Sequence, residues 1–263
     1  MNAPVRVYKL GGPALEDPGL LGPLAAELRA ASARVAVVHG GGRHVERMLR
    51  ALGIESRFVD GRRETSPAAM EVVEMILSGV VNKALAAGLT EAGLPAVGIS
   101  GRDGGLVRAR LVPELGRVGT PETVDPRPVQ ALWDAGLVPV ISPVASGPGG
   151  VSVNVNADEA AYGLARALGA RSLVYLSDVP GVRVGERTVA SLDAAEAARL
   201  IADGTIAAGM ALKVQVALAA ASGGIEEVIV AGKERLLEGF PGTRIVAPRA
   251  PAAAEPGAEG ARA

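Results

Sequence analysis

The chain holds four lysines, Lys9, Lys83, Lys213 and Lys233, against 23 arginines. Two of the four lie beside glycines, in Lys9-Leu10-Gly11-Gly12 and in Gly209-Met210-Ala211-Leu212-Lys213. An ammonium is a compact charge, unlike the planar guanidinium fork. Glycines beside it leave backbone N–H groups open to close approach. Together such groups stabilise phosphoryl oxygens without forming a covalent intermediate. A third glycine cluster, His39-Gly40-Gly41-Gly42, follows the apolar run Val35-Ala36-Val37-Val38 and precedes a helical pattern. A glycine loop at a helix N-terminus suits an anion. Asn154, Asn156 and Asp158 form a polar cluster at the entrance to another helix. Each feature also has a plainer reading: Lys9 as a strand-end surface lysine, the glycines as bare turns. Their recurrence favours anion chemistry. Asn82-Lys83, within a long apolar helical pattern, reads as a solvated helix face.

These residues need elements to hold them. Val5-Arg6-Val7-Tyr8 and the run ending at His39 read as buried strands, with a helix between them, so two glycine loops belong on one edge of a parallel sheet. Asp60-Gly61 marks a hairpin or irregular excursion. Ser66-Pro67 starts a long helix running towards Leu89, with serine as cap and proline in the first turn. Residues 106–110 and 115–118 suggest a small antiparallel pair, and 145–150 a loop. A helix is expected from Glu159 to Leu168, and another over 210–221 with Lys213 in its first turn. The division expected is an N-terminal lobe over 1–171, a C-terminal lobe over 172–247 and a disordered tail over 248–263.

Composition excludes several classes. There is no cysteine, hence no disulfide or thiol chemistry. A net charge of -1 gives no reason to expect nucleic acid or an anionic membrane as partner. No apolar run is expected to reach membrane-spanning length. With a strand expected from about Val5, no signal peptide is anticipated and the expected location is cytoplasmic. The sequence has no G-x-x-x-x-G-K-[ST], no G-x-G-x-x-G after the first strand, no G-x-S-x-G, and no zinc spacing at His39 and His44. No protein-held metal is expected.

Six segments occur in order: Lys9-Leu10-Gly11-Gly12, His39-Gly40-Gly41-Gly42, Gly61-Arg62-Arg63-Glu64-Thr65, Asn154-Val155-Asn156-Ala157-Asp158, Ser177-Asp178-Val179-Pro180-Gly181 and Gly209-Met210-Ala211-Leu212-Lys213. The series, covering Val5 to about Val246, closely resembles the acetylglutamate kinases of the amino acid kinase family. The resemblance implies an α/β fold, an αβα sandwich around a mainly parallel open sheet. Its N-terminal lobe would hold the amino acid and support dimerisation, and its C-terminal lobe would hold ATP. It implies phosphorylation of the γ-carboxylate of N-acetyl-L-glutamate in arginine biosynthesis, with Mg²⁺ carried by the nucleotide.

Carried over by position, Lys9 and Lys213 resemble the pair that stabilises the transferring phosphoryl group. Asp158 resembles the carboxylate that orients them, and Gly11 a glycine whose N–H meets phosphate. Gly41, Gly42, Arg63 and Asn154 match substrate-binding positions. Asp178, Val179, Pro180, Gly181, Val182 and Arg183, with Thr205, Ile206 and Ala207, match nucleotide-binding segments. The family often has an apolar residue where Arg62 stands, so either arginine could be the carboxylate clamp; the threonine that follows favours Arg63 by alignment. Arginine-inhibited relatives carry a helix before the first strand, which is not expected here, so a homodimer of the arginine-insensitive kind is implied. The alternatives are a kinase of carrier-linked aminoadipate or glutamate, aspartate or carbamate kinases, and a non-catalytic sensor on the same fold. A sensor would be expected to lose a lysine or the aspartate.

Overall fold

The structure, a computed structural model, describes residues 3–247, so the expected tail lies outside the described residues. Eight strands form one sheet. They are β1 (Val5–Leu10), β2 (Arg34–His39), β3 (Ala96–Ser100), β4 (Val138–Ser142), β5 (Ser172–Leu176), β6 (Ser191–Leu192), β7 (Glu227–Ala231) and β8 (Thr243–Ile245). Their order is β6-β8-β7-β5-β1-β2-β4-β3. Every pairing is parallel except β7 with β8. Parallel strands are covered on both faces, which is why β1, β2 and β5 read as continuous apolar runs.

Alternation along β1 divides the core. Val7, with Ala36, Val38 and Leu173, packs under the helices Ala157–Ala167 and Ala208–Ser222. Tyr8 and Leu10, with Val35, Val37 and Val174, pack under Leu21–Ala30 and the end of the long helix. The result is the expected αβα sandwich. The backbone steps across the carboxyl ends of its strands: the Gly11 N–H donates to the Leu176 carbonyl at 3.1 Å, and the Gly40 N–H to the Leu10 carbonyl at 2.8 Å. The loops after β1, β2 and β5 therefore meet at one edge, where such sheets bind ligands.

The long helix spans Pro67–Glu91, with the Ser66 hydroxyl accepting from the Ala69 N–H and π-helical turns over Met75–Val81. It corrects one expectation, since it is long and apolar enough to cross a membrane. Half of its most apolar window is buried within the protein, as in a core helix.

Beside the main sheet, Val107–Leu111, Val118–Val124, Val144–Ser146 and Ser152–Val155 close a small barrel. Two local expectations shift here. The partner of Val107–Leu111 starts at Val118, because Pro113–Leu115 forms a tight turn that Gly116 closes with φ 73°. The glycine-rich 145–150 stretch is partly strand, since Val144–Ser146 pairs antiparallel with the segment that carries Asn154.

Candidate active site

Lys9 is the penultimate residue of β1, on the face opposite Tyr8 and Leu10. Asp158 lies in the first turn of Ala157–Ala167, whose N-cap, Asn156, accepts from the Asp158 and Glu159 N–H groups. Lys213 lies in the second turn of Ala208–Ser222, not the first as expected, because the helix starts two residues earlier. These three elements bring the side chains to one point. The Lys9 ammonium is 3.0 Å from Asp158 Oδ1, and the Lys213 ammonium donates to Oδ1 at 2.9 Å and to Oδ2 at 2.8 Å. All three residues are at most 8% exposed. Tyr175 lies below them, its hydroxyl donating to the Asp158 carbonyl and its ring 5.5 Å from the Lys213 ammonium.

Burial would raise the Asp158 pKa. The two ammoniums outweigh it, first Lys9 and then Lys213, and hold the carboxyl at about 2. The helix N-terminus favours the anion in the same sense. Burial, then the Lys9 charge, pull Lys213 down to about 8 against the opposing pull of Asp158. An ammonium has three donors. Asp158 does not use all of those on the pair, so N–H groups remain for an incoming anion. Gly11 makes the arrangement possible, since a Cβ there would lie 2.9 Å from the Lys9 ammonium.

A cavity of about 100 Å³ adjoins this group, lined by Gly40, Gly41, Gly42, Arg62, Arg63, Asn154, Asn156 and Ala157 among others. All four expected substrate residues are in that wall. The space beside Gly42 is open, because a Cβ there meets nothing within 4 Å. The Arg63 guanidinium donates to Glu46 at 2.6 Å, to Ser56 at 3.2 Å and to the Gly42 carbonyl at 3.2 Å, with the Phe58 ring 4.5 Å away. Arg62 spends its fork on Glu159, at 3.1 and 2.6 Å. Thr65 links the walls, donating to the Arg63 carbonyl and accepting from the Asn154 amide.

The segment 178–183 follows β5, and Asp178 packs closely on Gly12, where a Cβ would lie 3.3 Å from that of Asp178. Gly181 is packed so tightly against Thr188 and Thr243 that a side chain would not fit. Thr205, Ile206 and Ala207 lead into the helix that carries Lys213; Ile206 is buried and Ala207 is its N-cap. Among the described residues no group of three His, Cys, Asp or Glu side chains is set to hold a metal ion.

Residues 4–232 match the amino acid kinase family. The chain belongs to that family. As a member of the amino acid kinase family it is a kinase, and the family's chemistry calls for ATP. An acetylglutamate kinase of Rubrobacter xylanophilus is 45% identical over 235 residues, 87% of this chain and 89% of that protein. One from Novosphingobium aromaticivorans is 42% identical over 247 residues, 85% and 82% of the two chains. Among solved structures, that of smu.665 from Streptococcus mutans superposes with a TM-score of 0.83 at 24% identity, covering 93% of this chain and 99% of its own, which speaks for the fold.

Three site residues escaped the sequence reading. Tyr175 is hidden in an apolar strand run. Glu159 follows Asp158 without any motif to mark it. Asn82, expected on a solvated face, is fully buried and bonded to His39. The room left by Gly98, beneath the Asn82 amide, was the one signal for it.

Proposed function

We propose that the chain transfers the γ-phosphoryl group of ATP to the γ-carboxylate of N-acetyl-L-glutamate, as an N-acetyl-L-glutamate 5-phosphotransferase of arginine biosynthesis. The observation that carries the proposal is the pair of buried ammoniums on one aspartate beside a cavity walled by glycines, Arg63 and Asn154. The difficulty of this reaction is bringing two anions together. Lys9 and Lys213 meet the transferring group with positive charge that is already in place, and the N–H of Gly41 adds a donor, whereas the N–H of Gly11, expected to meet phosphate, is taken by the Leu176 carbonyl. The acceptor carboxylate, with an ordinary pKa near ~4.3, is ionised at neutral pH and needs no general base. That fits His39, which is buried with both ring nitrogens engaged. Arg63, held beside Gly42, is the clamp for the second carboxylate. Arg62 is committed to Glu159.

Residues 1–171 would hold the amino acid, and 172–247 the nucleotide through 178–183 and 205–207. Mg²⁺ would arrive on the ATP phosphates, since Asp158 is taken by both lysines; it would offset phosphate charge there. The long helix leaves Met75 58% and Val80 56% exposed, and this face is proposed to pair two copies of the chain. The names of the relatives favour free acetylglutamate over a carrier-linked acceptor. The test is ATP-dependent hydroxamate formation, in which hydroxylamine traps an acyl phosphate. N-acetylglutamate, glutamate, aspartate and carrier-linked aminoadipate are run in parallel. Turnover confined to N-acetylglutamate supports the proposal. Turnover of none supports a sensor.

A further inference from the structure

We propose that Asn82 and His39 are positioning residues that fix the Gly40 carbonyl and so aim the Gly41 N–H into the cavity. The inference rests on the phosphoryl-transfer reading and assigns work to two buried polar groups for which that reading has no use. His39 Nδ1 is 2.7 Å from the Gly40 carbonyl oxygen. A carbonyl only accepts, so Nδ1 carries the proton. His39 Nε2 faces the Asn82 side-chain nitrogen at 3.1 Å. That nitrogen also meets the Ile99 carbonyl at 3.2 Å and the Val140 carbonyl at 2.9 Å, while Lys83 donates to Asn82 Oδ1 at 3.1 Å. These partners settle which end of the amide is nitrogen, and so Nε2 accepts. The ring is held in one tautomer. Burial lowers the His39 pKa to about 4, with the Lys9 and Lys83 charges adding to the effect, so the ring is neutral at working pH.

The consequence passes through one peptide unit. In a trans peptide the C=O and the following N–H point in opposite directions. Pinning the Gly40 carbonyl on the buried imidazole turns the Gly41 N–H the other way. Gly41 lines the cavity, and its N–H donates to no described residue. The long helix supports the loop a second time. Its π-helical turns press Leu77 and Val81 on Gly41, where a Cβ would be 2.8 and 3.4 Å from them, and Gly41 has φ 143°. The same turns deliver Asn82 to the sheet, into the room left by Gly98. Wide turns of this kind often mark functional sites. An apolar residue could fill position 82; a buried amide with this many partners fixes orientation instead.

Three His39 variants separate orientation from packing. His39→Asn keeps a donor where Nδ1 stands. His39→Gln keeps an amide near Asn82 but offers nothing to Gly40. His39→Leu offers neither. The expected result is a kcat for His39→Asn within about threefold of wild type. His39→Gln and His39→Leu should lose about 10²-fold, the scale of one oriented N–H donor, with little change in KM for ATP. A wild-type kcat for His39→Gln would overturn the proposal, and so would equal loss in all three variants. Nitrogen NMR of the full wild-type chain needs no variant to fold. It should show His39 neutral and protonated at Nδ1, and protonation at Nε2 would overturn the proposal. Absence of phosphoryl transfer in wild type would instead sink the reaction reading and leave the tautomer result to be judged alone.

Discussion

Replacing Asp158 with asparagine removes the one negative charge that two buried ammoniums share. Removing one partner of a buried ion pair costs about 3–5 kcal/mol, because the charge left behind stays out of water. The protein can relieve this by releasing a proton, and Lys213 is the group placed to do so. Its pKa is already about 8, and Asp158 is what supports it against burial and Lys9. A tenfold change in a protonation equilibrium corresponds to about 1.4 kcal/mol. A cost near 3 kcal/mol corresponds to about a hundredfold in that equilibrium, so Lys213 should lose much of its charge at neutral pH. Loss of charge and loss of orientation together should reduce kcat by about 10²–10³.

The pH dependence separates loss of support for Lys213 from simple damage. In wild type the free enzyme's kcat/KM should be level below about 8 and fall above it, as Lys213 loses its proton. In Asp158→Asn the descending limb should move well towards acid, so the residual rate should rise as pH is lowered. Stability should change in the opposite range. The folded pKa of Asp158, about 2, lies below its ordinary 3.8, so its stabilising contribution is complete above about pH 4 and is lost as pH falls through about 2. The variant should lack that acid-dependent part. Hydroxamate formation across pH gives the rate profile, and urea melts give stability. Wild-type kcat with a limb still near 8 would mean that Asp158 does not hold the charge on Lys213.

Lys9→Arg and Lys213→Arg should each lower kcat about 10²–10³ with smaller effects on KM, because a planar fork cannot take the place of a compact ammonium; exposed Lys233→Arg should match wild type. Arg63→Ala should raise KM for N-acetylglutamate far more than for ATP, whereas Arg62→Ala should chiefly free Glu159; the reverse pattern would move the clamp by one residue. Gly42→Ala should melt like wild type yet bind N-acetylglutamate poorly in calorimetry, since its Cβ meets no atom within 4 Å and Gly42 lines the cavity. Light scattering should give a dimer, and Met75→Glu with Val80→Glu should yield monomer; a wild-type monomer would contradict the proposed pairing face.

The parts of the site that could be read in the sequence are those a short segment encodes. Lys9-Leu10-Gly11-Gly12 and the glycines after β2 place a charge and open N–H groups at strand ends, and parallel pairing puts both on one edge. Asp158 and its Asn156 cap announce themselves as a helix start. What stayed hidden depends on partners distant in the chain. Asn82 reads as surface because a regular helix offers no reason to turn an amide inward; the π-helical turns before it and the bare Gly98 below it supply one. The barrel closes through Asn154 beside Val118, a parallel pairing that no local pattern encodes. Tyr175 is one more apolar-looking residue in a buried strand until the Lys213 helix crosses over it.

The proposed chemistry rests on one step, in which a carboxylate oxygen of N-acetylglutamate attacks the γ-phosphorus of ATP between Lys9 and Lys213. Phosphorus NMR can follow that step in a reaction run with N-acetylglutamate carrying heavy oxygen in its γ-carboxylate. The expected spectrum gains an acyl-phosphate resonance displaced by one bonded heavy oxygen as the ATP γ resonance declines. Decline of that resonance into unlabelled inorganic phosphate, with no acyl phosphate formed, would contradict it.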